Sequence, residues 1–364
     1  MTGRRRIGCA VAIVAWSLLV GSEAGAARRA AAGTITEVPV GVRSHSYLFG
    51  LTTGPDGAVW FADLSCTGLG RCAIARLDRS GRVTEYRRGL DAGSVPYTIA
   101  AGPDGNLWFT DEGSRPAIGR ITPHGHITEF RRGLARGSEP FRITTGPGGD
   151  LWFTDQGKRP AIGRITPHGD ITEFRRGLPR GSTPFGITAT PGELWFTDHG
   201  CNGSGRCAVG RIGANGRISE LRHGLRAGSQ PLGIATGRGG DAWFADSSGA
   251  IGHVTSAGRI TERTRGLAAG SSPVAIAAGP AGSMWFTDEG VKPAVGRVTP
   301  GGSAREFSRG LLASSQPADI TLGPDGRMWF SDEGATTALG TVTTGATCTG
   351  SCRSVQVHAR VTLG

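Results

Sequence analysis

Residues 105–130 read GNLWFTDEGSRPAIGRITPHGHITEF, and residues 149–174 read GDLWFTDQGKRPAIGRITPHGDITEF. The Trp-Phe pair heading each unit recurs at Trp60, Trp108, Trp152, Trp195, Trp243, Trp285 and Trp329, at spacings of 42 to 48 residues. A steady period of that length marks a repeat architecture. Each unit reads as four short strands. The first is small, as in Ile143-Thr144-Thr145, and a Gly-Pro-Asp-Gly type turn follows it at 102–105 and 323–326, a hairpin signal. The second is Leu-Trp-Phe-Thr-Asp, the third Ile-Gly-Arg-Ile and the fourth Ile-Thr-Glu-Phe. Leu107 and Phe109 face one way and Trp108 the other, so the second strand is apolar on both faces. That pattern fits a sheet buried between two others. Four-stranded antiparallel sheets set radially about an axis supply such burial. Seven units therefore predict an all-β, seven-bladed β-propeller. An open solenoid needs polar caps, and the sequence shows none.

The last unit runs out of pattern after Gly340-Thr341-Val342. Its missing outer strand is matched by Thr34-Ile35-Thr36-Glu37-Val38, which reads like Ile127-Thr128-Glu129-Phe130. The N-terminal strand is thus expected to close the last blade. The tail Val355 to Val361 is expected to compete for that edge or add to it, since exposed sheet edges are normally covered.

Ahead of this strand, Arg4, Arg5 and Arg6 precede an apolar run from Ile7 to Val20 and then Ala24-Gly25-Ala26. Basic head, apolar middle and small-residue tail read as a secretory signal peptide over residues 1–26, leaving 27–364 as one domain. The apolar run is too short for a comfortable membrane span, and an uncleaved anchor is the competing reading. The chain is expected to be secreted or held in the cell envelope, as a monomer. Export makes the six remaining cysteines three local pairs, Cys66–Cys72, Cys201–Cys207 and Cys348–Cys352. In an oxidising compartment these read as disulfides; a zinc site would need four converging ligands. The formal charge is +11, and losing residues 1–26 leaves the chain strongly basic. An anionic envelope polymer is therefore a candidate partner. Arg87/Arg88, Arg131/Arg132 and Arg175/Arg176 recur at outer-strand ends as a solvated rim or a polyanion-binding belt. No phosphate loop, GxSxG elbow or aromatic platform for nucleic acid is present.

An aspartate follows every repeat tryptophan by three residues: Asp63, Asp111, Asp155, Asp198, Asp246, Asp288 and Asp332. A residue common to all blades solves a problem common to all blades, so a structural bond to the third-strand Arg or to backbone is expected. Function in propellers lies where repeats diverge, at the channel mouth. One divergent column, just after the position that opens each first strand, is apolar: Phe49, Tyr97, Phe141, Phe185, Leu232, Val274 and Ala318. The residue after each Asp is mostly polar: Leu64, Glu112, Gln156, His199, Ser247, Glu289 and Glu333. Together they describe a funnel with an apolar floor and polar rim that suits a small molecule or peptide. The apolar column as a plain plug of the channel is the other reading. His199 is the one histidine in the rim column and the candidate base.

The repeat P-x-x-I-x-x-G-P-x-G-x-L-W-F-T-[DE], followed by I-G-R-I-T-P-x-G-x-I-T-E-F, resembles the streptogramin B lyase (virginiamycin B lyase) family from Thr34 to about Val342. The resemblance implies a seven-bladed propeller. It also implies a magnesium-dependent elimination that opens a cyclic depsipeptide with a histidine base. The family motif Glu-Pro-His-Gly-Ile falls on Gln316-Pro317-Ala318-Asp319-Ile320. Gln316 thus replaces a metal carboxylate and Ala318 replaces the base. The second carboxylate falls on Asp332 or Glu333, the family's further histidine on Val274 and its first-blade tyrosine on Phe49. An alanine takes no proton. The sequence therefore points to a non-catalytic propeller that binds a small molecule, peptide or envelope component at its funnel, with a lyase using a relocated base, His199, as the alternative; Mg²⁺ is implied only by that alternative.

Overall fold

The computed structural model describes residues 31–39, 47–64, 72–200, 207–213, 215–335, 337–346 and 360–363. The expected signal segment and Cys66, Cys201, Cys348 and Cys352 lie outside them. Of the expected disulfide pairs, only Cys72 and Cys207 are described; both are buried just before a third strand. Among the described residues no helix is long and apolar enough to cross a membrane.

The described residues form seven sheets, each with four antiparallel strands. Six begin with four chain-consecutive strands; blade 3, for instance, runs Pro140–Thr145, Leu151–Asp155, Ala161–Ile165 and Ile171–Phe174. First strands of neighbouring blades touch in a closed ring, the last blade meeting the first. The seventh blade takes its outer strand from Ile35–Pro39, which pairs antiparallel with Ala338–Val342. The closing strand is thus the expected one. The tail goes elsewhere: Arg360–Leu363 lies parallel to Arg82–Tyr86 as a fifth strand of blade 1. The last blade's edge is already occupied by Ile35–Pro39, so the tail's backbone groups pair with the next free edge.

The repeated residues each have a mechanical role. Phe109 sits opposite Gly119, and a Cβ on that glycine would come within 2.0 Å of the ring, so the Ile-Gly-Arg glycine is fixed by the phenylalanine. The tryptophan points the other way, into the next blade: Trp152 packs with Ile187, Leu194 and Phe196. Trp329 of the last blade does the same to Leu48 and Phe61 of the first, closing the wheel. The indole N–H of Trp60, Trp108 and Trp329 donates to the turn aspartates Asp56, Asp104 and Asp325.

In blades 2 to 7 the aspartate of this column is structural, bonded to backbone and not to arginine. Oδ1 of Asp155 accepts the N–H of Glu139 at 2.8 Å and of Gly157 at 2.8 Å. Asp111, Asp198, Asp246, Asp288 and Asp332 repeat this pair of bonds. Register excludes the expected arginine. Arg164 is directly opposite Trp152 and Asp155 is opposite Ala161. Three residues along a strand, Trp152 and Asp155 face opposite sides. The arginine lies instead over the indole, as Arg164 does at 5.9 Å.

Behind the aspartate in blades 2 to 7, the outer-strand glutamate and a loop serine complete a cluster. Ser229 Oγ donates to Asp246 and lies 2.7 Å from Glu262. Burial, then the neighbouring aspartate, pushes Glu220 and Glu262 up to about 7. Burial, with Asp332 adding to it, does the same to Glu37.

Candidate functional site

Both divergent columns lie at one end of the channel, and a bulge explains why they face it. In every blade the ladder between first and second strands slips by one residue, between Pro140 and Ile143 in blade 3. A bulge bends the strand and re-aims the residues it frees, here Phe141 and Arg142. The freed N–H is not left unpaired. Thr154 Oγ1 accepts the Arg142 N–H at 3.0 Å and donates to the Phe185 carbonyl of the next blade at 2.8 Å. Thr110 and Thr287 do the same in their blades. The threonine before the aspartate therefore stitches the bulge to the neighbouring blade in blades 2, 3, 4 and 6, whereas blades 1 and 5 carry Ala62 and Ala245 there.

Four blades supply an arc of aromatic rings. Phe49 stacks on Tyr97 at 4.6 Å, Tyr97 meets Phe141 at 4.6 Å and Phe141 meets Phe185 at 4.7 Å. His199 continues the arc, its ring 6.3 Å from Phe185. Leu232, Val274 and Ala318 complete the circle with smaller side chains, Ala318 being 4% exposed.

The floor beneath is charged, which the sequence reading did not foresee. One residue further along each first strand stand Gly50, Thr98, Arg142, Gly186, Gly233, Ala275 and Asp319. Arg142 Nη1 meets Asp319 Oδ2 at 3.0 Å from nearly opposite blades, with both side chains largely buried. The Leu51 N–H adds a bond to the same carboxylate oxygen at 3.2 Å. The apolar column is thus a wall, and the ion pair bars the channel. On the side of the pair away from the aromatic arc lies a cavity of about 130 Å³, walled by Leu51, Ile99, Ile143, Ile187, Ile234 and Ile276. The signal was present in the sequence: one arginine and one aspartate interrupt a column of otherwise small residues.

Rim residues Glu112, Gln156 and Glu333 are half-buried and Glu289 is exposed. Burial, and then the nearby charges of Glu289 and Asp319, pushes the Glu333 carboxyl up to about 8 against the pull of Arg142. Burial with Glu139 and Asp111 pushes Glu112 up to about 7. Burial also raises the Tyr97 hydroxyl, which senses Arg142, Glu112, Glu333 and Asp319. Three buried polar atoms around the mouth have no hydrogen-bond partner: Arg142 Nε, His199 Nδ1 and Glu333 Oε1. Asp332 Oδ2 is likewise buried without a partner, while its Oδ1 accepts the Gln316 and Gly334 N–H groups; its charge acts on both Glu37 and Glu333. Among the described residues no three of His, Cys, Asp and Glu converge to hold a metal ion.

The basic rim is partly neutralised. Arg87 pairs with Glu85 at 2.7 Å and Arg131 with Glu129 at 2.5 Å. Arg175 pairs with Glu173 and Arg222 with Glu220 in the same way. Arg88, Arg132 and Arg176, the second member of each repeated pair, are exposed.

The virginiamycin B lyase family model matches residues 21–209 and 204–354. The structure superposes on selenomethionine-substituted virginiamycin B lyase from Staphylococcus aureus with a TM-score of 0.73 and 31% identity, covering 85% of this chain and 99% of that one. A catalytically inactive histidine-to-alanine variant of that lyase with quinupristin matches equally, at a TM-score of 0.73 and 31% identity over the same shares. YCF48 bound to D1 peptide shares the fold alone, with a TM-score of 0.63 and 12% identity over 87% of this chain and 97% of that one. No curated protein sequence matches the chain.

Proposed function

The chain belongs to the virginiamycin B lyase family, and we propose that it is a binding member of it: an exported propeller whose mouth holds a small molecule or peptide without breaking it. The observation that carries this reading is Ala318, a buried methyl group where the family motif places the base. Elimination needs a group that removes a proton beside a carbonyl, and a methyl group has no lone pair to do so.

The donor set for magnesium does not fit either. Gln316 is neutral, Oδ1 of Asp332 is taken by two backbone N–H groups, and among the described residues no three of His, Cys, Asp and Glu converge here. The S. aureus variant with quinupristin supports the binding reading, since an inactive histidine-to-alanine form of that relative is seen with the ligand. The basic N-terminal segment of signal-peptide pattern supports a role outside the cytoplasm.

A second reading, elimination with His199 as the base, draws on its buried Nδ1 without a partner. One incubation separates the two. Full-length protein is mixed with Mg²⁺ and quinupristin and analysed by chromatography with tandem mass spectrometry, because ring-opening elimination leaves the mass unchanged. The binding reading expects quinupristin to be recovered cyclic. A ring-opened isomer that disappears in His199→Ala establishes the second reading instead.

A further inference from the structure

Resting on this binding reading, we infer that the occupant of the mouth is an organic ammonium ion carried on a flat aromatic or cyclic frame. Two features of different origin meet there. The first is the aromatic arc, in which Phe49, Tyr97, Phe141 and Phe185 touch ring to ring across four consecutive blades. Aromatic faces carry negative potential and attract cations, and groups of such rings recognise ammonium ligands. These rings already hold one cation on their inner side, with Arg142 5.7 Å from the Phe185 centroid and 5.9 Å from that of Phe141.

The second feature is a surplus of acid. Glu333 has Glu289, Asp319 and Asp332 as charged neighbours, and Glu112 has Glu139 and Asp111. Arg142 is the cation that reaches both, and its guanidinium is bound to Asp319. Glu333 Oε1 is buried with no hydrogen-bond partner, an arrangement that costs free energy until a donor arrives. The mouth is thus acidic on a chain whose formal charge is +11. Above about pH 8, where both Glu112 and Glu333 are ionised, such local charge draws in the opposite sign and repels anions. On blades 6 and 7 the apolar column shrinks to Val274 and Ala318, leaving room beside Glu289 and Glu333 for the ligand's charged end. Its flat frame then lies against the arc opposite.

A matched set of probes tests the assignment: tryptamine, tryptophol and indole-3-acetate share an indole and differ in charge. Their affinities for the full chain are measured by calorimetry at pH 8.5 and low salt. Tryptamine is expected to bind at least about tenfold tighter than tryptophol, a gap of about 1.4 kcal/mol, with indole-3-acetate weakest. Glu112→Gln combined with Glu333→Gln should erase the gap and leave tryptophol unaffected, whereas Phe185→Ala should weaken both. Equal affinity for the three, preference for indole-3-acetate, or displacement of tryptamine by micromolar Mg²⁺ overturns the inference. If quinupristin binds and tryptamine shows no preference, the cation assignment fails and the binding reading stands. If quinupristin and every indole fail to bind, both readings fall.

Discussion

Blades 3 and 7 are built alike outward of the bulge and unlike at it. In both, the aspartate ending the second strand takes two backbone N–H groups, through Asp155 and Asp332. In both, a hydroxyl, of Thr154 or Ser331, accepts the bulge N–H. At the bulge itself blade 3 carries Phe141 and Arg142 while blade 7 carries Ala318 and Asp319. One scaffold thus presents a ring and a cation on one side of the channel, and a methyl group and an anion on the other. The blades share what packs them together, and they differ in what they present to the channel mouth.

The sharpest way to break this comparison is to remove a shared part. Trp152→Ala should cost about 3–5 kcal/mol, read by urea denaturation, because the indole fills the gap between blades 3 and 4. The bar across the channel comes next. Arg142→Met or Asp319→Leu alone should cost about 3 kcal/mol by stranding the other charge, and the double variant much less. Equal costs for singles and double would remove the ion pair from the account.

A smaller effect should appear with pH. Glu37, Glu220 and Glu262 stand at about 7 in the folded chain against an ordinary 4.5. The folded state therefore holds these protons more tightly than the unfolded state. Their contribution is complete below about 4.5 and fades as pH rises through about 7. Being only half buried, each is worth no more than about 1 kcal/mol, so the thermal midpoint should fall by a few degrees between pH 5 and pH 8. Smallest of all is Glu333→Gln, which relieves repulsion among buried acids and should leave stability at pH 8.5 unchanged or raise it by less than about 1 kcal/mol.

The shared parts were legible because their cause is local. The alternation within Leu-Trp-Phe-Thr-Asp, the glycine facing Phe109 and the outer-strand match of Ile35 to Val38 all follow from strand geometry. The aspartate column was legible as structure; of its two expected partners the backbone is the one found, and register across the hairpin excludes the arginine. The threonine stitch needed the bulge, which no residue type announces. The Arg142–Asp319 pair joins residues 177 apart, and its contact exists only once the wheel closes. Its trace was two charges in a column of small residues.

The central claim is that this funnel binds without turning over. Titration calorimetry of the full chain with quinupristin, followed by chromatography of the recovered ligand, tests it most directly. The account predicts saturable binding and quinupristin returned with its ring closed. Ring-opened product, or no binding at all, contradicts it.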